Sequence, residues 1–306
     1  MSAKKRPAES PSTETAPRKG APIAGWFLAG TLVLGVGAGV WYAVWRQVSE
    51  HVLAGSEYQV DPQKIVVTRP PPWIHSDIKS DVVREASFDG PLSLLDPELT
   101  VRLASAFASH PWVAHVERIS KRFPSSVEVM LEYRRPVAMV EVSGGALPVD
   151  IAATVLPSGD FSREEAEAYP RIEDIHTAPS GSVGNHWGDA AVSGGARLAA
   201  ALGNDWQALG LSRIVPGGRR PARSGIEYDY VLISRGGTRI DWGLAPGADS
   251  LNQSMVADKI AQLRQYANQH GSLDGDGGPQ RLRFLESGQL EVERRTPVKS
   301  LPSGDR

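Results

Sequence analysis

The chain has 306 residues, enough for about two compact domains, and its 41% apolar and 22% charged content suits ordinary globular cores. A formal net charge of -2 gives no reason to expect nucleic acid as a partner. The absence of cysteine excludes disulfide frameworks, thiol nucleophiles, iron–sulfur clusters and cysteine-type zinc sites together, while leaving the compartment open.

Residues 1–22 are rich in Pro, Ser, Thr and Ala and carry five basic against two acidic side chains, so the remainder is mildly acidic. They lack the apolar surface to offset ordering entropy and are expected to be a disordered tail. Residues 23–45 follow without a single charge. As a helix they would extend roughly 34 Å, which predicts a transmembrane span. Trp26 lies near one end and Trp41, Tyr42 and Trp45 at the other, where interfacial aromatics belong. Ala54-Gly55 can be read as a signal-peptide cleavage site, but the apolar run is too long for one and ends well before Ala54, which favours an uncleaved anchor. The basic flank puts the tail in the cytoplasm and exports the rest. Gly35 and Gly39 have the spacing of a helix-pairing motif, although small residues are common in such helices.

After a polar linker at 46–63, a first unit spans 64–135. Ile65 to Thr68 reads as a short strand, stopped by Pro70-Pro71-Pro72. A helix is expected over 76–86 with Ser76 as N-cap. A second is expected from Asp96 as cap and Pro97 at the first helical position, with Leu99, Leu103, Ala106 and Phe107 on one face and His110-Pro111 ending it. A strand at 112–120, a turn at 122–125 and a strand through Val127, Val129, Leu131 and Tyr133 complete a β-α-α-β-β order.

The second unit, 136–295, starts with a strand at 137–142 and two more within 147–156. Residues 157–190, broken by Pro and Gly, read as irregular. A helix is expected over 190–202, weakened by Gly194-Gly195. Strands are expected at 211–215, 226–234 and 238–242, the last two joined through Arg235-Gly236-Gly237. A helix over 250–270 carries Val256, Ile260, Leu263 and Ala267 on one face and stops at Gly271. A hairpin of 282–285 and 289–293 around Glu286-Ser287-Gly288 closes the unit, before a polar tail at 296–306.

Catalytic patterns are missing: there is no G-x-S-x-G, no phosphate loop and no H-E-x-x-H. His110 and His115 flank a helix-to-strand turn and read better as ordinary polar residues than as a metal pair. Asp274-Gly275-Asp276-Gly277-Gly278 begins like a calcium loop but has Leu285 where a bidentate Glu is needed, so it reads as a surface turn. Glu164, Glu165, Glu167, Glu173 and Asp174 could suggest glycoside hydrolysis, yet their polar surroundings favour a solvated face. The chain therefore reads as no enzyme, with no cofactor and no metal.

Three segments carry a resemblance. They are Pro111-Trp112-Val113, then Phe123-Pro124-Ser125-Ser126-Val127-Glu128-Val129, then Tyr133-Arg134-Arg135-Pro136-Val137-Ala138. Together they resemble the POTRA domain and following junction of the FtsQ/DivIB family of bacterial division proteins. Leu147-Pro148-Val149-Asp150, Tyr169-Pro170-Arg171-Ile172, Lys259 with Leu263, and Arg281-Leu282-Arg283-Phe284 are similar to later family stretches. Phe123 stands where the family has Trp, and Ile151-Ala152-Ala153 lacks a glycine found there.

The resemblance implies an α+β fold: a single transmembrane helix, a POTRA-like domain, then a mixed β-sheet domain with helices on it. It also implies a septal scaffold of the inner membrane without catalysis. Its partners would be FtsB- and FtsL-like coiled-coil division proteins, one of which adds a strand at the C-terminal edge. The matching binding residues are Arg283, Phe284, Ser287 and Gly288, with Leu290 and Val292 on the outer strand. The alternative is a POTRA-bearing anchor for envelope assembly or export.

Overall fold

The structure, a computed structural model, describes residues 23–53, 56–223, 225–248, 253–275, 279–285 and 288–293, without the side chains of 23–29, 48–53, 56 and 253–254. The two tails expected at 1–22 and 296–306 lie outside the described residues. The chain divides into two units, Met1–Gly55 and Ser56–Arg306.

The first unit contains α1 (Ile23–Leu53), whose described side chains, from Gly30 to Gln47, are all exposed. Among the described residues no helix is long and apolar enough to cross a membrane. The expected span over 23–45 is corrected on that finding. Along the described part of α1, Leu and Val alternate with Gly30, Gly35, Gly37 and Gly39, and Arg46 and Gln47 follow at once, which dilutes the apolar character. The side chains of 23–29 are not among those described. Around Gly35 and Gly39 there is open space where a Cβ would stand.

The second unit begins with β1 (Gln59–Val60), β2 (Val66–Val67), α2 (Ile78–Glu85), β3 (Leu92–Ser93), α3 (Leu99–Ala108), β4 (Val113–Arg122) and β5 (Ser126–Tyr133). β1 pairs with β3, while β2, β5 and β4 form a three-stranded sheet in that order. Its inner face follows the period of two: Val127, Val129 and Leu131 are buried under Leu99, Leu103 and Phe107 of α3 and Ile78, Val82 and Val83 of α2. Both expected helix caps shift. Asp77, not Ser76, caps α2 by accepting from Ser80 N at 3.2 Å. Asp96 accepts from Glu98 N at 2.8 Å, holding a turn that precedes α3 rather than capping the helix itself. Ser76 is not free to cap α2, because its N–H and hydroxyl both donate to Asp160.

The large sheet is built from β6 (Pro136–Val142), β7 (Gly145–Asp150), β8 (Arg171–Ile172), β9 (Leu211–Ala222), β10 (Gly225–Ser234), β11 (Arg239–Leu244), β12 (Arg281–Phe284) and β13 (Leu290–Glu293). Helices α4 (Arg163–Glu167), α5 (Ala190–Leu202), α6 (Asp205–Ala208) and α7 (Gln253–His270) are spaced between them. The strand order is β13-β12-β11-β10-β9-β8-β6-β7. Three neighbours pair in parallel with the next strand: β6 with β8, β8 with β9, and β11 with β12. The fold is thus α+β with a mixed sheet.

Several features of this part differ from the sequence expectations, among them β9, which runs on to Ala222 past the expected end at 215, and α4, which lies within the stretch read as irregular. Residues 147–156 hold one strand, β7, and then a turn that bridges back through Val149 and Val155. The stretch read as irregular also contains β8, two residues inside the sheet, third from the β7 margin, with Ile172 fully buried. Gly194 and Gly195 do not weaken α5 by accident. A Cβ on Gly194 would stand 2.2 Å from Tyr230 Oη, and one on Gly195 would stand 3.0 Å from Ile172 Cδ1. Their lack of side chains lets the helix lie close on β8 and β10, where Tyr230 Oη donates to Ala191 O at 2.7 Å.

Candidate functional site

The C-terminal hairpin stands at one end of the strand order. In β12, Leu282 is buried and Phe284 half-buried on the face that meets the main core, whereas Arg281 and Arg283 are exposed on the other. The register Leu282↔Val292, Phe284↔Leu290, Arg281↔Glu293 and Arg283↔Glu291 extends this division to β13. One face of β13 is apolar (Leu290, Val292) and the other acidic (Glu291, Glu293).

The hydrogen bonds of the hairpin fix which backbone groups are left over. Leu285 N donates to Gln289 O at 2.9 Å across the turn, which makes that a hydrogen-bonded pair. Antiparallel ladders alternate, so Glu291 and Glu293 turn their N–H and C=O toward β12, and Leu290 and Val292 turn theirs away from it. Leu290 N is taken by Gln262 of α7, donating to its Oε1 at 2.8 Å, while Gln262 Nε2 donates to Gly288 O at 2.8 Å. The side-chain amide thus imitates one peptide unit at the start of the edge. Beyond it, Val292 N–H and C=O have no partner among the described residues, and the Val292 side chain is 37% exposed.

The hairpin rests on an aromatic and cationic support. Phe284 packs edge-on against the buried Trp242, with ring centroids 5.7 Å apart at 80°. Lys259 Nζ sits 5.1 Å from both ring centroids and donates to Trp242 O at 2.7 Å. Burial holds the Lys259 ammonium below its ordinary pKa, opposed by the negative charge of Asp229. On the outer face Arg281 donates to Asp241 at 2.8 Å and lies 3.6 Å from Glu293, and the bond to Asp241 raises its pKa above the ordinary value.

The residues expected to bind a partner are therefore gathered here: Arg283, Phe284, Gly288 (φ +81°), Leu290 and Val292 lie on one hairpin. Ser287 lies outside the described residues. Nothing in the sequence pattern marked Gln262, which looks like any polar helix residue. The POTRA-motif residues are elsewhere. Trp112 and Val113 are buried in the first core, Pro124 is exposed in the β4–β5 turn, and Pro111 packs near Gly184. Arg135 is exposed and Pro136 opens β6, near the opposite end of the strand order from β13.

A second cluster unmarked by the sequence joins the two cores. Asp160 is only 8% exposed and accepts from Trp112 Nε1 (2.6 Å), Ser76 N (2.7 Å), Ser76 Oγ (3.0 Å) and His75 N (3.1 Å). It ties the segment after β7 to the first core, its two oxygens accepting four hydrogen bonds from the segments that precede α2 and β4.

His186 Nδ1 accepts from Gly188 N at 2.9 Å, so the ring proton is on Nε2, which faces Ser193 Oγ at 3.4 Å. A histidine that already carries its proton on the serine side cannot take one from that serine. Burial lowers the pKa of His110, whereas His115 is exposed. Glu165 completes a capping box with Ser162, Glu167 pairs with Arg163, Glu173 with Arg213, and Asp174 with His176. Asp274 accepts from Ser234 Oγ and from Gly236 N and Thr238 N, the latter two at 3.2 Å, bracing the β10–β11 turn. Among the described residues no group of three or more metal-ligating side chains comes together. Compared with known proteins, the chain matches no family model and no curated protein.

Proposed function

We propose that this chain is a non-catalytic scaffold of the bacterial division machinery that captures another chain by strand addition on β13. The observation that carries the reading is the outward Val292 N–H and C=O on the last strand of the sheet, beside a partly exposed apolar side chain. The identity of the partners, FtsB- and FtsL-like coiled-coil proteins, rests on the FtsQ/DivIB resemblance of the segments around Trp112, Pro124, Pro136 and Phe284. The reading uses only the folded region that starts at Ser56. Its chemistry is recognition by main-chain pairing, with Phe284, Trp242 and Lys259 holding the receiving hairpin in place.

Pull-down with such partners, using the full chain and a chain lacking residues 282–295, tests the mechanism. Recovery is expected from the full chain alone, and equal recovery from both would remove it. A fluorescent fusion is expected to gather in a band at the septum; uniform signal in dividing cells would instead favour envelope assembly or export.

A further inference from the structure

On the outer face at this end of the large sheet, β11 carries both signs, Arg239 and Asp241, with Arg239 in register with Arg281, whereas the two strands beyond it carry one sign each. β12 contributes Arg281 and Arg283, and β13 sets Glu293 and Glu291 directly opposite them. Arg281 is also engaged on its other side by Asp241 of β11. Opposite charges facing each other across a ladder stabilise it and like charges destabilise it. β13 thus ends the sheet on an acidic row whose outer flank has no strand beside it among the described residues. On the inner face the row is apolar, with Leu290 half-buried and Val292 more exposed than any other β12 or β13 side chain on that face.

We infer that the strand added to β13 alternates lysine or arginine with β-branched or other apolar residues. This rests on the strand-addition reading and names the chemistry of its partner. The basic residues continue the alternation of charge by lying beside Glu291 and Glu293; the apolar ones cover Leu290 and Val292. A strand with acidic residues in the same places would lie against two carboxylates. Because Gln262 already fills the pairing position at Gly288 O and Leu290 N, the added strand pairs from the Leu290 carbonyl onward, through Val292. The pairing is short, so side-chain charge decides between partners.

The test uses the full chain and three labelled, end-blocked heptapeptides, with binding read by fluorescence anisotropy at low salt. The first is Thr-Val-Lys-Val-Lys-Val-Thr, the second has Glu in place of both Lys, and the third is the Lys peptide with alternate backbone nitrogens methylated. The Lys peptide is expected to bind roughly tenfold more tightly than the Glu peptide, the gap closing as salt rises. The double variant E291K/E293K should reverse the preference, and E164K/E167K, with the same change in net charge on α4, should keep it. Equal binding of the Lys and Glu peptides, or loss of the preference in E164K/E167K, overturns the charge inference and leaves strand addition standing. Undiminished binding of the methylated peptide overturns strand addition itself, and no binding by any peptide overturns both.

Discussion

The two margins of the large sheet are finished differently. At β7, the outward carbonyl of Pro148 accepts from Leu156 N at 2.8 Å, and the outward N–H of Asp150 donates to Thr154 O at 3.1 Å. Pro148 has no N–H to offer a further strand. The margin is sealed by its own following turn, which Asp160 then fastens to the first core. At β13, among the described residues, only Leu290 N is satisfied, by a side chain, and Val292 stays open. Sheet edges invite unwanted pairing, and one margin carries two devices against it. The other margin lacks both among the described residues and is guarded only by its shortness and its two glutamates, and the strand-addition reading rests on that difference.

The largest expected effect comes from breaking the seal. Asp160→Ala leaves four donors without their acceptor, one of them on a fully buried Trp112, and is expected to cost about 2–4 kcal/mol in denaturant unfolding. Hydrogen exchange at Asp150 and Leu156 should speed up as the covering turn loosens. Unchanged stability would mean that the seal does not depend on this carboxylate.

Closing the open margin comes next. Val292→Pro deletes the outward N–H and spares the bonds between β13 and β12, so partner binding is expected to fall at least tenfold, while stability changes by less than about 1 kcal/mol. Glu291→Pro, which removes a donor facing β12, should damage the hairpin as well. Equal effects of the two prolines would contradict the assignment of which groups face outward.

A smaller change should lengthen the margin. Gln262→Ala frees Leu290 N–H and Gly288 O, and partner affinity is expected to rise roughly two- to fivefold as one more pairing position opens. A fall in affinity would show that Gln262 braces the edge instead of occupying it.

The smallest effect is in the support. The folded-state pKa of Lys259 lies below its ordinary value of 10.5, so the unfolded chain holds that proton more firmly. Its contribution to stability should be complete above pH 10.5 and be lost as pH falls through the folded value. Lys259→Met should flatten that dependence in denaturant melts across the alkaline range, and an unaltered slope would assign it to another group.

Legibility in the sequence followed the length of each signal. β5 is readable because Val127, Val129 and Leu131 keep a period of two over a whole strand, and α5 because residues 190–202 are rich in alanine, a strong helix former. β8 was not readable: two residues have no period, and only the neighbouring strands make Arg171-Ile172 a strand. The roles of Gly194, Asp160 and Gln262 depend on partners 36, 48 and 28 residues away, Tyr230, Trp112 and Leu290. No local pattern encodes such distances. The apolar run predicts a helix over 23–45, and α1 extends to Leu53; among the described residues no helix is long and apolar enough to cross a membrane. The C-terminal hairpin was legible in outline, and its acidic outer row needed the register.

The most direct test is hydrogen exchange of the full chain with and without an FtsB-like coiled-coil partner, followed at single-amide resolution. Strand addition predicts that Val292 N–H, open in the free chain, becomes strongly protected on binding, with Asp150 and Leu156 unaffected. A bound partner that leaves Val292 exchanging at its free rate, or that protects the β7 margin instead, would contradict the account.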